Sequence, residues 1–348
     1  MTDRVLSSST EPLANRYDVA LLDLDGVVYR GTEVIAEAPP ALDKATQLGM
    51  RRAFVTNNAS AAPETVAARL AGMGVPATPD DVITSAQAAA RVLAERLPAG
   101  ARVLVVGTDA LAREVLSRGL TVASDAEDQP AAVVQGYSPD TGWRLLAEAV
   151  VAVRRGALWI ATNTDLTIPS PRGLLPGNGA FVAAVRVALE VDPLVTGKPE
   201  PAMHREMMQR TGARRPLIVG DRLDTDIEGA TRAGVDSLLV LTGVTNPRLL
   251  LGAGPPHRPT YISASMAGLV SGQPRPRPAG VGAYECGGFT ATVVGRQLRL
   301  DGAGVDDIDA LRALCACWWS ANPGGGAEPS PVSASDTTRA VIDRLGLA

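Results

Sequence analysis

Leu21-Leu22-Asp23-Leu24-Asp25-Gly26-Val27-Val28 decides how the rest of the chain is read. An apolar run, Val19 to Leu22, ends in two carboxylates that flank one leucine, and a glycine follows. A continuous apolar run closed by a turn residue suits a strand buried on both faces of a parallel sheet. Side chains alternate along an extended strand, so Asp23 and Asp25 are expected to point the same way where the strand emerges. Two like charges held together repel, and a cation or positive ligand between them offsets that cost. Taken alone, the pair fits two solvated turn aspartates equally well.

Outward from this stretch, strands and helices alternate. Strands are expected over residues 17–23 and 52–56, and helices over 38–48 and 63–71, with Ser60 as a cap for the second helix. That rhythm predicts a doubly wound, Rossmann-like α/β sheet. From residue 82 a second alternating block runs to 194, long enough to bury its own core and read as an inserted α/β domain. At Gly197-Lys198-Pro199-Glu200-Pro201 the chain returns to the first domain, and strand 217–219 ends in Gly220-Asp221. The expected division is 16–81 with 195–250 as the core, 82–194 as the insert, and 265–348 as a small C-terminal α+β unit. Prolines and glycines mark 246–283 as a linker with little structure of its own. In the last unit, 289–294 and 297–300 predict a hairpin about Gly295-Arg296, and Ile308, Leu311, Leu314, Cys315 and Trp318 recur at helical spacing.

Composition excludes several classes. A chain of 348 residues, 46% hydrophobic and 20% charged with net charge −4, reads as a globular protein of two or three domains. It does not read as a binder of nucleic acid or of a membrane surface. No apolar run reaches the ~20 residues of a membrane-spanning helix. Residues 1–14 hold one basic residue, Arg4, and no apolar core, so no signal peptide is read and a cytoplasmic protein is expected. The three cysteines are too few for a disulfide framework. With two histidines, His204 and His257, a multi-histidine metal site is excluded.

Asp23/Asp25, Thr56/Asn57, Lys198 and Asp221/Asp226 all stand at or just beyond strand ends, where open α/β sheets bind ligands. Hydroxyls, amides, one lysine and several carboxylates suit a phosphate and a divalent cation. Hard oxygen donors favour magnesium over zinc. Only Lys44 and Lys198 of the 33 basic residues are lysines, so Lys198 suggests that a compact point charge is needed there.

Four stretches in order carry a family resemblance: Asp23-Leu24-Asp25-Gly26-Val27-Val28, Phe54-Val55-Thr56-Asn57-Asn58, Gly197-Lys198-Pro199-Glu200-Pro201, and Gly220-Asp221 through Thr225-Asp226-Ile227. Together they resemble the haloacid dehalogenase superfamily. The closest pattern is that of its phosphatases with a large α/β cap, the p-nitrophenylphosphatase, phosphoglycolate and ribonucleotide monophosphatase relatives. The resemblance spans about residues 17–245 and implies a magnesium-dependent phosphomonoester hydrolase. It implies Asp23 as the nucleophile that forms an aspartyl-phosphate and Asp25 as the general acid and base. It further implies a magnesium held by Asp23, the backbone carbonyl of Asp25, and Asp221. Thr56, the backbone of Asn57, and Lys198 would bind the phosphoryl oxygens, and Asp226 would orient water ligands or Lys198. Asp224 suits a helix cap. Asn163-Thr164-Asp165 and Pro176-Gly177-Asn178-Gly179 resemble cap motifs near the substrate, with Asn163 and Asp165 as the candidate contacts.

Aromatic residues make up only 3% of the chain, and Trp143, Trp159 and Phe181 read as core. A small aliphatic phosphate is therefore expected, glycerol 3-phosphate or phosphoglycolate. The alternatives are a non-catalytic phosphometabolite sensor and a phosphotransferase working from the same aspartyl-phosphate. The C-terminal unit lies outside the resemblance. Its hairpin and helix are loosely like part of an acetyltransferase, but the Gly-rich pyrophosphate loop of such enzymes is missing. A regulatory, docking or dimerisation role is expected, with a homodimer as one form, and the cysteines read as core rather than as a zinc or redox site.

Overall fold

The computed structural model describes residues 6–170, 172–295, 297–326 and 329–348. Arg4, on which the leader reading turns, and Arg296, half of the expected hairpin turn, lie outside the described residues. The chain forms two compact units, residues 1–52 with 213–348, and residues 53–212.

In the first unit, four parallel strands lie in the order Tyr261–Ser263, Asp236–Val240, Pro216–Gly220 and Val19–Leu22. Every residue of Val19–Leu22 and of Pro216–Gly220 is buried, the burial on both faces that a covered parallel strand requires. The strand Tyr261–Ser263 and the turn Met266–Val270 fall inside the stretch expected to be a linker. Three residues are too few to show a period of two, and the three prolines before them, Pro255, Pro256 and Pro259, read as loop. Even so, Tyr261, Ile262, Met266 and Leu269 are all buried.

The C-terminal part of this unit is a five-stranded sheet in the order Arg277–Gly280, Ala283–Cys286, Phe289–Val294, Gln297–Gly302 and Val332–Ser333. The first three pairings are antiparallel and the last is parallel. Helix Asp307–Ala321 crosses it, capped by the Asp306 side chain, which accepts from Ile308 N at 2.9 Å. Both Trp318 and Trp319 are buried, and they share one apolar cluster with Leu250, Leu251 and Ile262 of the parallel sheet region. All three cysteines are buried free thiols. Burial pushes Cys286 up to about 12 and Cys317 up to about 11, so neither carries the thiolate that metal binding or exchange chemistry needs.

In the second unit, the strand Arg51–Thr56 pairs in parallel with Val82–Thr84, so the expected start of the insert at residue 82 falls within this pair. Beyond it, five parallel strands lie in the order Leu194–Val195, Leu158–Ala161, Ala132–Gln135, Arg102–Val106 and Thr121–Ala123. Helices Ser85–Arg96, Asp109–Ser117, Trp143–Arg154 and Asn178–Leu189 follow strands in alternation, the expected α/β pattern. Helix Pro201–Thr211, which starts three residues after Lys198, is pinned by its buried Glu206. Glu206 pairs with Arg91, with Arg118 at 3.5 Å and with Arg210 at 3.7 Å.

Two local expectations are corrected. Trp143 is 80% exposed rather than core. As the first residue of its helix it has no preceding turn to cover it, whereas Trp159, on a central strand, is buried and donates Nε1–H to Gln135 Oε1 at 3.2 Å. Ser60 does not cap helix Pro63–Gly72, whose N-cap is Ala62; instead its backbone N–H and its hydroxyl both donate to Asn58 Oδ1 at 2.7 Å.

Candidate active site

An acidic cluster grows from two neighbouring strand ends in the first unit. Leu22 pairs with Val219, and Asp23 N donates to Val219 O at 2.9 Å, so the ladder continues one residue beyond the strand. Asp23 therefore leaves the sheet beside Gly220-Asp221. After Asp221 the chain makes a wide turn, Leu223–Ile227, in which Ile227 N bonds back to Arg222 O at 3.2 Å. Such five-residue turns re-aim side chains. Here the turn brings Asp226 back, where its Oδ2 accepts from Arg222 N at 3.2 Å.

The result is a cluster of three carboxylates, Asp23, Asp221 and Asp226, with one oxygen of each within 4.8 Å of the others. Asp221 and Asp226 are buried. Clustered buried carboxylates repel, and a hard divalent cation relieves that repulsion while taking oxygen ligands. The donor set fits magnesium.

Glycines let the backbone close on this cluster. Gly26 has φ +83°, a left-handed conformation, and a Cβ there would stand 2.5 Å from Asp221 Oδ2. A Cβ on Gly243 would overlap the same carboxylate. Segment 242–245 completes the wall. Val244 N donates to Asp221 Oδ2 at 2.6 Å, Thr245 N to Asp221 O at 3.1 Å, and Thr242 Oγ1 to Gly26 O at 2.6 Å. Sequence reasoning missed this segment, although its place at the end of strand Asp236–Val240 was a usable signal.

Two residues differ from their expected setting. The strand stops at Leu22, so alternation along it does not reach Asp25. It sits in the following turn, exposed, with Oδ1 accepting from Gly31 N at 3.4 Å. Asp224 is no helix cap. Arg222 grips it with Nε and Nη2 at 3.0 and 2.8 Å, and that side-chain bond holds its carboxyl below the usual range.

The second unit carries the other candidates, tied together through Asn57. Its Oδ1 accepts from Lys198 N at 2.7 Å, and its Nδ2 donates to Lys198 O at 3.1 Å and to Asp165 Oδ2 at 3.2 Å. Its carbonyl accepts from Asn163 Nδ2 at 2.7 Å and from Ser85 Oγ at 2.5 Å. Lys198, followed by a cis proline and itself buried, donates Nζ–H to Val55 O at 3.4 Å. Thr56 is buried beside it in sequence, and its hydroxyl oxygen accepts from Asn58 N at 3.1 Å.

Asn163 is buried with both ends of its amide in use, since Oδ1 also accepts from Asp165 N at 3.2 Å. Asn178, 1% exposed, donates Nδ2–H to Asn163 O at 2.7 Å. Asn178 belongs to the second cap-like stretch, Pro176-Gly177-Asn178-Gly179, and Ser85 is a further member of this network that the sequence did not single out.

Comparison with known proteins gives the same picture. A family model described as haloacid dehalogenase-like hydrolase matches residues 20–121, and a second, HAD-hydrolase-like, matches residues 195–269. The D-glycerol 3-phosphate phosphatase of Mycobacterium tuberculosis is 45% identical over 342 residues, 96% of each chain. The chain belongs to the haloacid dehalogenase-like hydrolases. Within that family it is a phosphatase.

Among solved structures, a glycerol phosphate phosphatase of Mycobacterium tuberculosis in complex with magnesium superposes with a TM-score of 0.89 at 43% identity, covering 97% of this chain and 100% of that one. A p-nitrophenyl phosphatase from Archaeoglobus fulgidus gives a TM-score of 0.68 at 29% identity over 73% of this chain and 98% of its own. A model described as a GCN5-related N-acetyltransferase like domain matches residues 286–347, the C-terminal sheet and helices. Among the described residues, no helix is long and apolar enough to cross a membrane.

Proposed function

We propose that this phosphatase hydrolyses glycerol 3-phosphate or a similarly small aliphatic phosphomonoester, through a phosphorylated Asp23 and with magnesium as its cation. The observation that carries the chemistry is the cluster of Asp23, Asp221 and Asp226 at adjoining strand ends. The substrate rests on the similarity to a D-glycerol 3-phosphate phosphatase along nearly the whole of both chains.

In the first step an oxygen of Asp23 attacks phosphorus, and the bond to the leaving oxygen breaks with its electron pair. Asp25 gives its proton to that alkoxide; its exposed place in the turn after Asp23 leaves its carboxyl open to a leaving group. In the second step Asp25 takes a proton from water, the oxygen of which attacks phosphorus. The bond to Asp23 breaks, returning the carboxylate and releasing phosphate.

Asp23 and Asp221 hold the cation together with the carbonyl of Asp25, and the tight placement of Asp226 adds it as a ligand or as the anchor of a ligand water. The bound cation offsets negative charge on the phosphoryl oxygens. Lys198 and Thr56 bind those oxygens. We assign Asn163 and the Asn57 side chain to positioning Lys198 and Asp165, because their amides are spent inside the protein, and leave Asp165 as the substrate contact. We keep residues 82–194 as the substrate-selecting insert.

The test is phosphate release from a panel holding glycerol 3-phosphate, phosphoglycolate, a nucleoside monophosphate, pyridoxal phosphate and a hexose phosphate, with magnesium and with a chelator. Glycerol 3-phosphate should rank first and the chelator should abolish release. A nucleotide or pyridoxal phosphate turned over far faster contradicts the substrate, and phosphate passed to added glycerol rather than to water contradicts hydrolysis.

A further inference from the structure

The Asp221 carboxylate is held by segment 242–245, and that segment is strung between strand Asp236–Val240 and helix Pro247–Leu251. Five residues are too few for a helix to hold its own shape, so its position must come from its surroundings. At its start, Asn246 Oδ1 accepts from Leu249 N at 2.9 Å. At its end, Leu250 O accepts from Ala253 N at 3.1 Å, while Leu251 O, the last carbonyl, has no donor within the helix and needs one from elsewhere. The buried indole of Trp319 supplies one, with Nε1–H directed at Leu250 O and Leu251 O at 3.3 and 3.2 Å.

Trp319 is itself fixed. The guanidinium of Arg258 lies 5.3 Å from its ring centroid, and the buried Arg258 donates Nε–H to Ala253 O at 3.1 Å and Nη2–H to Asn322 O at 2.8 Å. Its helix is tied down about two turns earlier by Arg312, which pairs with Asp309 at 2.6 Å. Arg312 also donates to Ile262 O at 2.5 Å and to Gln273 Oε1 at 2.9 Å. Leu311, Leu314 and Trp319 pack in one cluster with Leu250 and with Ile227, the neighbour of Asp226.

We propose that Trp319 is a positioning residue for the metal-holding carboxylate Asp221, acting through helix Pro247–Leu251 and segment 242–245. The C-terminal unit then serves the phosphatase as a brace for its acidic loop. The inference rests on the functional reading above. Magnesium makes the placement matter, because it demands near-ideal octahedral geometry and penalises a displaced ligand.

Trp319→Phe keeps an aromatic ring and removes the N–H. The readouts are manganese binding to the metal-free protein by electron paramagnetic resonance, the magnesium dependence of turnover, and KM for glycerol 3-phosphate at saturating magnesium. Affinity for either cation should fall about three- to tenfold, less than the roughly 10–100-fold seen when a partner of a metal ligand itself is changed, with KM unmoved. Leu298→Ala is the companion variant: Leu298 is buried in the same cluster but lies on strand Gln297–Gly302. It should lower the melting temperature and leave cation affinity alone. Unchanged affinity in Trp319→Phe, or an equal loss in both variants, overturns the inference while leaving the phosphatase reading intact. A native protein that binds no divalent cation contradicts that reading, and this inference with it.

Discussion

The acidic cluster of the first unit and the Asn57 network of the second are built on opposite principles. Around Asp23, Asp221 and Asp226 the backbone closes in, with N–H groups of Arg222 and Val244 on the carboxylates and no room beside Gly26 and Gly243 for a single added carbon. Around Lys198 the work is done by side-chain amides, Asn57 and Asn163, each with both ends in hydrogen bonds. Carboxylates gathered for a cation cost stability before the cation arrives, while a satisfied amide network adds to it. The first region should therefore fail when something is added, and the second when something is taken away.

The largest effect is expected at the nucleophile. Asp23→Asn should cut turnover by at least roughly 10³-fold and leave the fold intact, checked by phosphate release and circular dichroism. Residual activity near the native level would remove the acidic cluster from the chemistry. Next is Gly243→Ala, which forces a methyl group against Asp221. Magnesium affinity, read by titration of activity and by calorimetry, should fall about 10–100-fold, the range for groups that support a metal ligand. A neutral result would show that the wall around Asp221 yields.

Stability should move in opposite directions in the two regions. Asn57→Ala removes the side-chain acceptor of Lys198 N and the side-chain donor to Lys198 O and Asp165 Oδ2, and should cost about 1–3 kcal/mol in denaturant unfolding. Asp226→Asn relieves like-charge repulsion and should stabilise the metal-free protein by about 0.5–2 kcal/mol while lowering activity. Equal losses in both would erase the distinction.

The smallest effect concerns pH. His204, on the helix that follows Lys198, is held below the usual imidazole range by burial. A histidine with a depressed folded pKa contributes stability above its unfolded value, about 6.5, and loses it as pH falls through the folded one. Melting temperature should therefore drop from about pH 6.5 downward, and His204→Gln should flatten that drop by about 1–2 °C.

What was legible from the sequence follows the same divide. Asp23, Asp221 and Asp226 each follow an apolar run or a strand–turn signal, so short-range pattern finds them. The packing that sets their roles is long-range. Alternation predicts that Asp23 and Asp25 point the same way, yet the strand stops one residue before Asp23, and Asp25 is an exposed residue of the turn that follows. Only the family resemblance makes Asn163 a candidate substrate contact. Its burial and its bond to Asn57 O join residues 106 apart in the chain, which no local pattern reveals. Trp143 reads as core because it sits in an expected regular element, and that reading does not register that it stands at a helix start. Proline density hid the strand Tyr261–Ser263, whose place in the sheet is fixed by pairing with Leu238–Val240.

The central claim is that Asp23 carries the phosphoryl group. Borohydride added during magnesium-supported turnover of glycerol 3-phosphate reduces an acyl phosphate to the alcohol, and peptide mass spectrometry reads where. Reduction of Asp23 to homoserine, lost with a chelator or without substrate, is the expected result. Turnover with Asp23 unmodified and another carboxylate reduced in its place would contradict it.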